Sequence, residues 1–383
     1  MSDKIVIVGG GPVGAVLALR LQQQGIAATV LEARAKGASH RDTRALALSY
    51  GSRQILEKLS VWDEIESHAT AINTIHISQR GGFGRTQLKA QDHNLPALGY
   101  VLPYGALTKA LDAQLENADV LYEAIALRAN SHTAAGEVTF QHEDKNNTFK
   151  SALIVIADGG NSLSGIDGIE RETKEYGHNA LVSKVHAELP HNNIAYERFT
   201  PQGPMALLPN GVRDFSLVWT GEKAAVEALL NLDEATFLAQ LHQAFGDRVG
   251  QFLSTEKRMS FPLKLSTLKP ATAPHLAVIG NAAQTMHPVA GQGFNVGLRD
   301  AWTLANLIID APVDALGSAA MLKSYNENRK RDTRGGILFT DFLVNTFSND
   351  LLGVSALRGA GLGLLDVLKP AKNLLVGKMS YGK

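Results

Sequence analysis

Lys4-Ile-Val-Ile-Val8-Gly9-Gly10-Gly11-Pro12-Val13-Gly14 is the stretch that decides the fold. Its first residues are a short β-branched run, the composition of a strand buried on both faces. The glycines at 9, 11 and 14 then spell G-x-G-x-x-G. Ala15 to Gln24 has the apolar spacing of a helix, with Val16, Leu17, Leu19 and Leu21, and Gly25 stands where a C-cap belongs. Ala28-Thr-Val-Leu-Glu32 is a second strand that closes on an acid. Strand, glycine turn, helix and terminal acid in this register make a βαβ dinucleotide-binding unit. Gly9 and Gly11 permit a tight turn and a close backbone approach to a pyrophosphate. Gly14 lets helix and strand pack, and the helix start offers unpaired N–H groups to phosphate. Glu32 can accept from both hydroxyls of an adenosine ribose and would repel a 2′-phosphate. This unit alone leaves FAD and NAD open.

Two later segments return the chain to the same place. Ala152-Leu-Ile-Val-Ile-Ala-Asp158-Gly159 is a buried strand ending in an acid and a turn. Leu276-Ala-Val-Ile-Gly280-Asn281 is another apolar strand, and a loop carrying Pro288, Gly291 and Gly293 leads into a helix through Asp300 to Ile308. Such a loop before a helix start presents backbone N–H groups to negative charge, which in a flavin enzyme is the N1/O2 edge of the reduced ring.

Gly9-x-Gly11-x-x-Gly14 with Glu32, Asp158-Gly159 and Gly280-Asn281…Pro288…Gly291-Gln-Gly293 together resemble the group A FAD-dependent aromatic hydroxylases, the para-hydroxybenzoate hydroxylase type. The run Gly280 to Asp300 and the run Ala195 to Pro209 are similar to the ubiquinone-biosynthesis branch, and within it to the 2-octaprenyl-6-methoxyphenol hydroxylases. The resemblance implies FAD as cofactor and NAD(P)H as reductant. It implies O₂ carried through a flavin C4a-hydroperoxide to the ring of a polyprenylated phenol. It places Gly9, Gly11 and Gly14 at the pyrophosphate, Glu32 at the ribose and Arg44 by the phosphates. Asp158 and Gly159 fall near the pyrophosphate, Asn281 at the ribityl chain, and Pro288, Gly293, Phe294 and Asn295 beside the isoalloxazine. His287 is the titratable residue of that loop, a candidate for moving the phenol proton; a histidine held by loop backbone is the alternative. Asn281 stands where most of the family has Asp, Gln284 where it has His, and Ser164-Gly165 where many relatives carry Arg. Tyr104 falls where relatives often place a polar flavin contact, and the sequence assigns it no role. A hydroxylase of another aromatic substrate, or an inactive FAD-binding scaffold in a biosynthetic assembly, fits the same motifs.

The expected fold is α/β. A Rossmann-type FAD-binding domain is drawn from 1–70, 100–175 and 271–345. A mainly antiparallel β substrate domain comes from 71–99 and 176–270, and a C-terminal helical segment from 346–383. Period-two runs at Thr74–Ser78, Leu181–His186 and Phe215–Trp219 carry the antiparallel sheet. Met205 to Pro209 is either a strand facing the ring or a plain core strand. The C-terminal stretch 351–383 mixes apolar runs with Arg358, Lys369, Lys372, Lys378 and Lys383. It is either helices packed on the FAD domain or an amphipathic surface meeting a membrane or a partner of a ubiquinone-biosynthesis complex.

With 37 basic and 37 acidic residues in 383, no net charge draws the chain to nucleic acid. The chain has no cysteine, which removes disulfides and thiol chemistry. No metal-ligand spacing occurs among the twelve histidines. The N-terminus has no signal-peptide pattern, so the expected location is cytoplasmic, peripheral to the inner membrane if the tail meets it.

Overall fold

The structure is a computed structural model and describes residues 5–81, 84–116, 118–162, 166, 168–200, 202–285, 292–330, 366 and 368–382. Its first strand, β1 (Ile5–Val8), is buried along its whole length. Helix α1 (Pro12–Gln22) follows, then β2 (Ala28–Glu32). The helix starts three residues before the expected Ala15. Pro12 at its first position is already set at a helical φ, and its missing N–H would have no partner there. Gly25, at φ +70°, ends it.

Three strands join this unit in parallel: β3 (Asp119–Tyr122), β4 (Leu153–Ile156) and β5 (Leu276–Val278). The order is β5-β4-β1-β2-β3, with the two-residue strand Thr272–Ala273 antiparallel beyond β5. Because a strand turns alternate residues to opposite faces, β1 feeds two cores. Ile5 and Ile7 pack with α1 and with α2 (Gln292–Asp310), while Val6 and Val8 meet Val138 and Phe140 of a three-stranded meander over 125–151.

The second body of the fold is a nine-stranded, mostly antiparallel sheet. It takes in Thr74–Gln79, Arg85–Lys89, Glu170–Ala187, Ile194–Thr200, Gly203–Pro209, Asp214–Glu222 and Met259–Lys269, so all three period-two runs lie in it. Ile194–Thr200 pairs in parallel with Thr74–Gln79. Glu170–Ala187 runs unbroken through position 175.

Two helices stand inside the stretch that the alternation assigned to sheet: Lys223–Asn231 and Glu234–Phe245. The signal for the second was present. Asp233 caps it, accepting from Thr236 N at 2.9 Å, and Phe237, Leu238, Leu241 and Phe245 recur at helical spacing. These residues cover one face of the sheet, where Met205 and Leu207 join them in a buried cluster. Leu208, on the opposite face, packs toward Ile72, Ile75 and Val376. Met205 to Pro209 is therefore a core strand with two differently clothed faces.

The C-terminal helix Lys369–Tyr381 docks on Tyr50–Lys58 so closely that a Cβ on Gly51 would lie 2.6 Å from Ser380 O. Val376 is buried, whereas Leu368 and Leu374 are exposed. Among the described residues no helix is long and apolar enough to cross a membrane, and no metal-binding cluster of His, Asp and Glu occurs.

Candidate functional site

A cleft of about 660 Å³ opens at the carboxyl ends of β1, β2 and β4, where an open α/β sheet binds its ligands. Stretches far apart in sequence line it: Gly9 and Gly11 to Val13, Leu31 to Arg34, Tyr104, Ala124 to Ala126, Ala157 to Gly159 with Asn161 and Ser162, and Asn281 with Gly293 and Phe294. Gly9, Gly11, Glu32, Asp158, Gly159, Asn281, Gly293 and Phe294 are thus brought to one wall-to-wall space.

The three motif glycines do different work. Gly9 sits at φ +103°, and a Cβ there would be 2.7 Å from Ala157 O. Gly14 is not in the lining. A Cβ on it would lie 2.0 Å from Gly9 O, so it serves helix–turn packing. Gly11 faces open space, with Arg34 Nη2 and the Tyr104 hydroxyl the nearest atoms at 3.9 and 4.0 Å. It caps α1 without any side-chain hydrogen bond, leaving the first turn's N–H groups directed at the cleft. The start of α2, at Gly293 and Phe294, reaches the same cleft, and neither helix has an acid in its first turn. Two positive helix ends and an uncovered glycine form a cradle for a diphosphate.

Glu32 is 7% exposed, and its carboxylate is held on both sides. Oε2 accepts from Gly10 N at 2.7 Å; Oε1 accepts from Arg34 N at 3.0 Å and Arg34 Nε at 2.7 Å. Burial by itself would raise its pKa, but the Arg34 hydrogen bonds and charge, with the Gly10 N–H, outweigh it and hold the group below 4.5. A carboxylate offers about four lone-pair sites, so Oε2 keeps room for a ribose hydroxyl.

A group whose folded pKa is depressed stabilises the fold above its unfolded pKa, and the gain disappears as pH falls through the folded value. Between pH 6 and 3.5 the melting temperature of the wild type is expected to fall further than that of Glu32→Gln. Parallel curves for the two would remove this role.

Asp158 organises its own turn. Its carboxylate accepts from Gly160 N at 2.8 Å and Ser162 N at 2.7 Å, while Gly159 and Gly160 adopt positive φ. Gly280 N donates to Asp300 of α2 at 3.3 Å, which ties the turn before Asn281 to that helix. Asp300 is in turn paired with Arg329 at 3.4 Å, both side chains almost fully buried. Gln284, also fully buried, has neither end of its carboxamide hydrogen-bonded among the described residues.

Some expected residues stand elsewhere. Arg44 lies outside the lining. Asp42 accepts from its Nε at 3.0 Å through Oδ1, and its guanidinium lies over the Tyr104 ring at 5.4 Å. The Asn295 side chain is turned away from the cleft. It donates to Ala47 O at 2.9 Å and accepts from Ser49 N at 2.8 Å and Ser52 Oγ at 2.7 Å, stitching α2 to the 45–58 segment. His287 and Pro288 lie outside the described residues, as does Ser164-Gly165.

Arg34 and Tyr104 are lining residues that the sequence left unassigned. The signal for Arg34 was its position two residues past the strand-ending acid. For Tyr104 it was Pro103, which precedes the helix Tyr104–Gln114.

Residues 3–335 match the model of a family described as FAD binding domain. The chain is 33% identical to the ubiquinone hydroxylase UbiL of Rhodospirillum rubrum, covering 97% of this chain and 88% of that protein. It is 31% identical to the 3-demethoxyubiquinol 3-hydroxylase of Escherichia coli, covering 94% and 93%. Among solved structures, p-nitrophenol 4-monooxygenase from Pseudomonas putida superposes with a TM-score of 0.78 at 15% identity, covering 98% of both chains. An FAD complex of HpxO from Klebsiella pneumoniae does so with 0.76 at 16%, again over 98% of both. At these identities the two structures speak for the fold.

Proposed function

The chain belongs to the FAD-binding domain family, and from that premise we propose that it is an FAD-dependent monooxygenase hydroxylating the ring of a polyprenylated ubiquinone precursor with NAD(P)H and O₂. The observation that carries the reading is one cleft lined by several segments far apart in sequence. Relatives named for ubiquinone and demethoxyubiquinol hydroxylation align over nearly the whole chain and support the substrate class.

The residues present fit FAD. The turn at Gly9 to Val13 would hold the diphosphate, since a side chain at Gly11 would fill the space it needs. Glu32 would take the ribose of the adenosine, and Asn281 the ribityl chain. The start of α2 at Gly293 and Phe294 would meet the ring. When bound, the flavin supplies electron transfer from NAD(P)H and oxygen activation, while the protein orients the phenol and excludes water. Asn281 would offer the ribityl hydroxyls a neutral donor and acceptor where a carboxylate is usual in the family. His287 is assigned the relay of the phenol proton.

The division of labour we infer is cofactor binding by 1–70, 100–175 and 271–345 and substrate binding by 71–99 and 176–270. In the 346–383 segment, the exposed Leu368 and Leu374 beside Lys369 and Lys372 suit a peripheral contact with a membrane or a biosynthetic complex. That contact would place a cytoplasmic protein at the inner membrane.

The purified protein is expected to show flavin absorbance, and short-chain prenyl phenols to accelerate both NAD(P)H oxidation and O₂ uptake. The same assay from pH 6 to 9 is expected to change shape in His287→Ala. A protein that cannot be loaded with FAD ends the reading. Loading without phenol-stimulated oxidation would favour a non-catalytic scaffold instead.

A further inference from the structure

The nine-stranded sheet carries a group of cations that the flavin cleft does not use. Register places them side by side: His76 lies opposite both Gln87 and Tyr196, and Ser78 lies opposite both Arg85 and Arg198. Alternation puts these six side chains on one face, with Arg80 two residues beyond Ser78 on the same side. It is the face that Glu234–Phe245 covers in part, and Arg198 Nε donates to Ala244 O at 3.1 Å at that helix's end. Arg248 comes in from the segment just after the helix, close enough for its charge to act on His76, Tyr196 and Arg198.

None of Arg80, Arg85, Arg198 and Arg248 is ion-paired with a carboxylate among the described residues. Burial first, and then the charges of Arg248 and Arg80, pull the pKa of Arg198 down. His76 is buried, its Nδ1 has no hydrogen-bond partner outside its own residue among the described residues, and burial, followed by the charges of Arg248, Arg85 and Arg198, pulls its pKa down. In a chain of zero net charge, a cluster of like charges in which Arg80 and Arg198 are half-buried and Arg85 and Arg248 exposed is a local cost that an anion would remove.

We propose that this face is a binding site for a phosphate group, gripped by Arg198 and Arg248 with Ser78 and His76 beneath and Arg80 and Arg85 at the rim. Guanidinium forks match phosphate oxygens in pairs, and a dianion compensates more than one of them, which a single carboxylate does not. The same chemistry is offered by a phosphorylated solute and by the headgroup of an anionic phospholipid. The site is independent of the flavin reading, since none of these residues lines the cleft.

The test uses the intact chain in two arms: inorganic diphosphate followed by titration calorimetry and melting temperature, and flotation with phosphatidylglycerol against phosphatidylcholine vesicles. At least one arm is expected to bind, and Arg198→Gln/Arg248→Gln is expected to weaken that binding tenfold or more, with Lys150→Gln unchanged. Diphosphate binding alone identifies a solute site; selective capture by phosphatidylglycerol identifies a headgroup site. Because Arg198 also holds Ala244, the pair Arg80→Gln/Arg248→Gln provides a fold-safe check. It is expected to weaken binding and to raise the melting temperature without anion, as repulsion is relieved. Binding in neither arm, or binding that both double variants retain, overturns the proposal.

Discussion

Asp300→Ala is expected to cost about 3–5 kcal/mol of stability, the usual penalty for removing one partner of a buried ion pair. Arg329 would be left charged in a site where its side chain is 8% exposed and its Nη2 has no hydrogen-bond partner among the described residues. Burial alone would pull that guanidinium's pKa down; Asp300 and the fully buried Tyr325 more than offset it, so the guanidinium's pKa is raised. Asp300 also accepts from Gly280 N, and the Tyr325 hydroxyl donates to Val278 O at 3.2 Å. The loss therefore falls on the end of β5 and the turn that carries Asn281 into the cleft, and flavin is expected to leave before the fold melts. Urea unfolding followed by circular dichroism and by flavin fluorescence reads both effects. Asp300→Ala/Arg329→Met is expected to recover part of the loss, because it removes the stranded charge. A single variant costing under about 1 kcal/mol would show that the pair does not organise this turn.

Gly14→Ala and Gly11→Asp are expected to fail in opposite ways. At Gly14 the added methyl would sit 2.0 Å from Gly9 O, a backbone atom that can move only by opening the turn. A loss of about 3 kcal/mol follows from such overpacking, with flavin binding lost as a consequence. At Gly11 nothing stands within 3.9 Å, so the chain accommodates a side chain without strain. An aspartate there places a negative charge where the diphosphate belongs, at the end of α1. Flavin affinity is expected to drop at least a hundredfold while the melting temperature of the flavin-free protein stays within about 2 °C. Gly11→Ala separates size from charge and is expected to fall between. If Gly11→Asp bound flavin normally, the diphosphate would not lie at this turn.

Legibility differed by the kind of interaction involved. The βαβ unit was plain because its signals are local: a β-branched run, three glycines and an acid within 28 residues, Ile5 to Glu32, each needing only its neighbours in the chain. The alternation in Leu181–His186 and Phe215–Trp219 gave strands for the same reason. It also hid the helices at 223–245, where a cap at Asp233 was the cue that a period-two expectation passed over.

Side-chain direction was another matter. Asn295 and Arg44 carry residue types suited to a cofactor site, yet both are bound to their own chain. Asn295 is held across 246 positions by Ser49 N, and Arg44 by Asp42 two residues away. Arg34 enters the cleft because Glu32, buried at the end of β2, needs a cation beside it.

By itself the sequence determined the dinucleotide-binding unit and the segments that return to it, since strand burial, glycine turns and helix starts are written in short windows. The tertiary structure alone decided which polar side chains face the cleft and which are spent on holding the fold. It also gathered four arginines, none ion-paired among the described residues, at one sheet face. Those outcomes depend on partners that meet only when distant segments pack, and no local pattern encodes which partner arrives first.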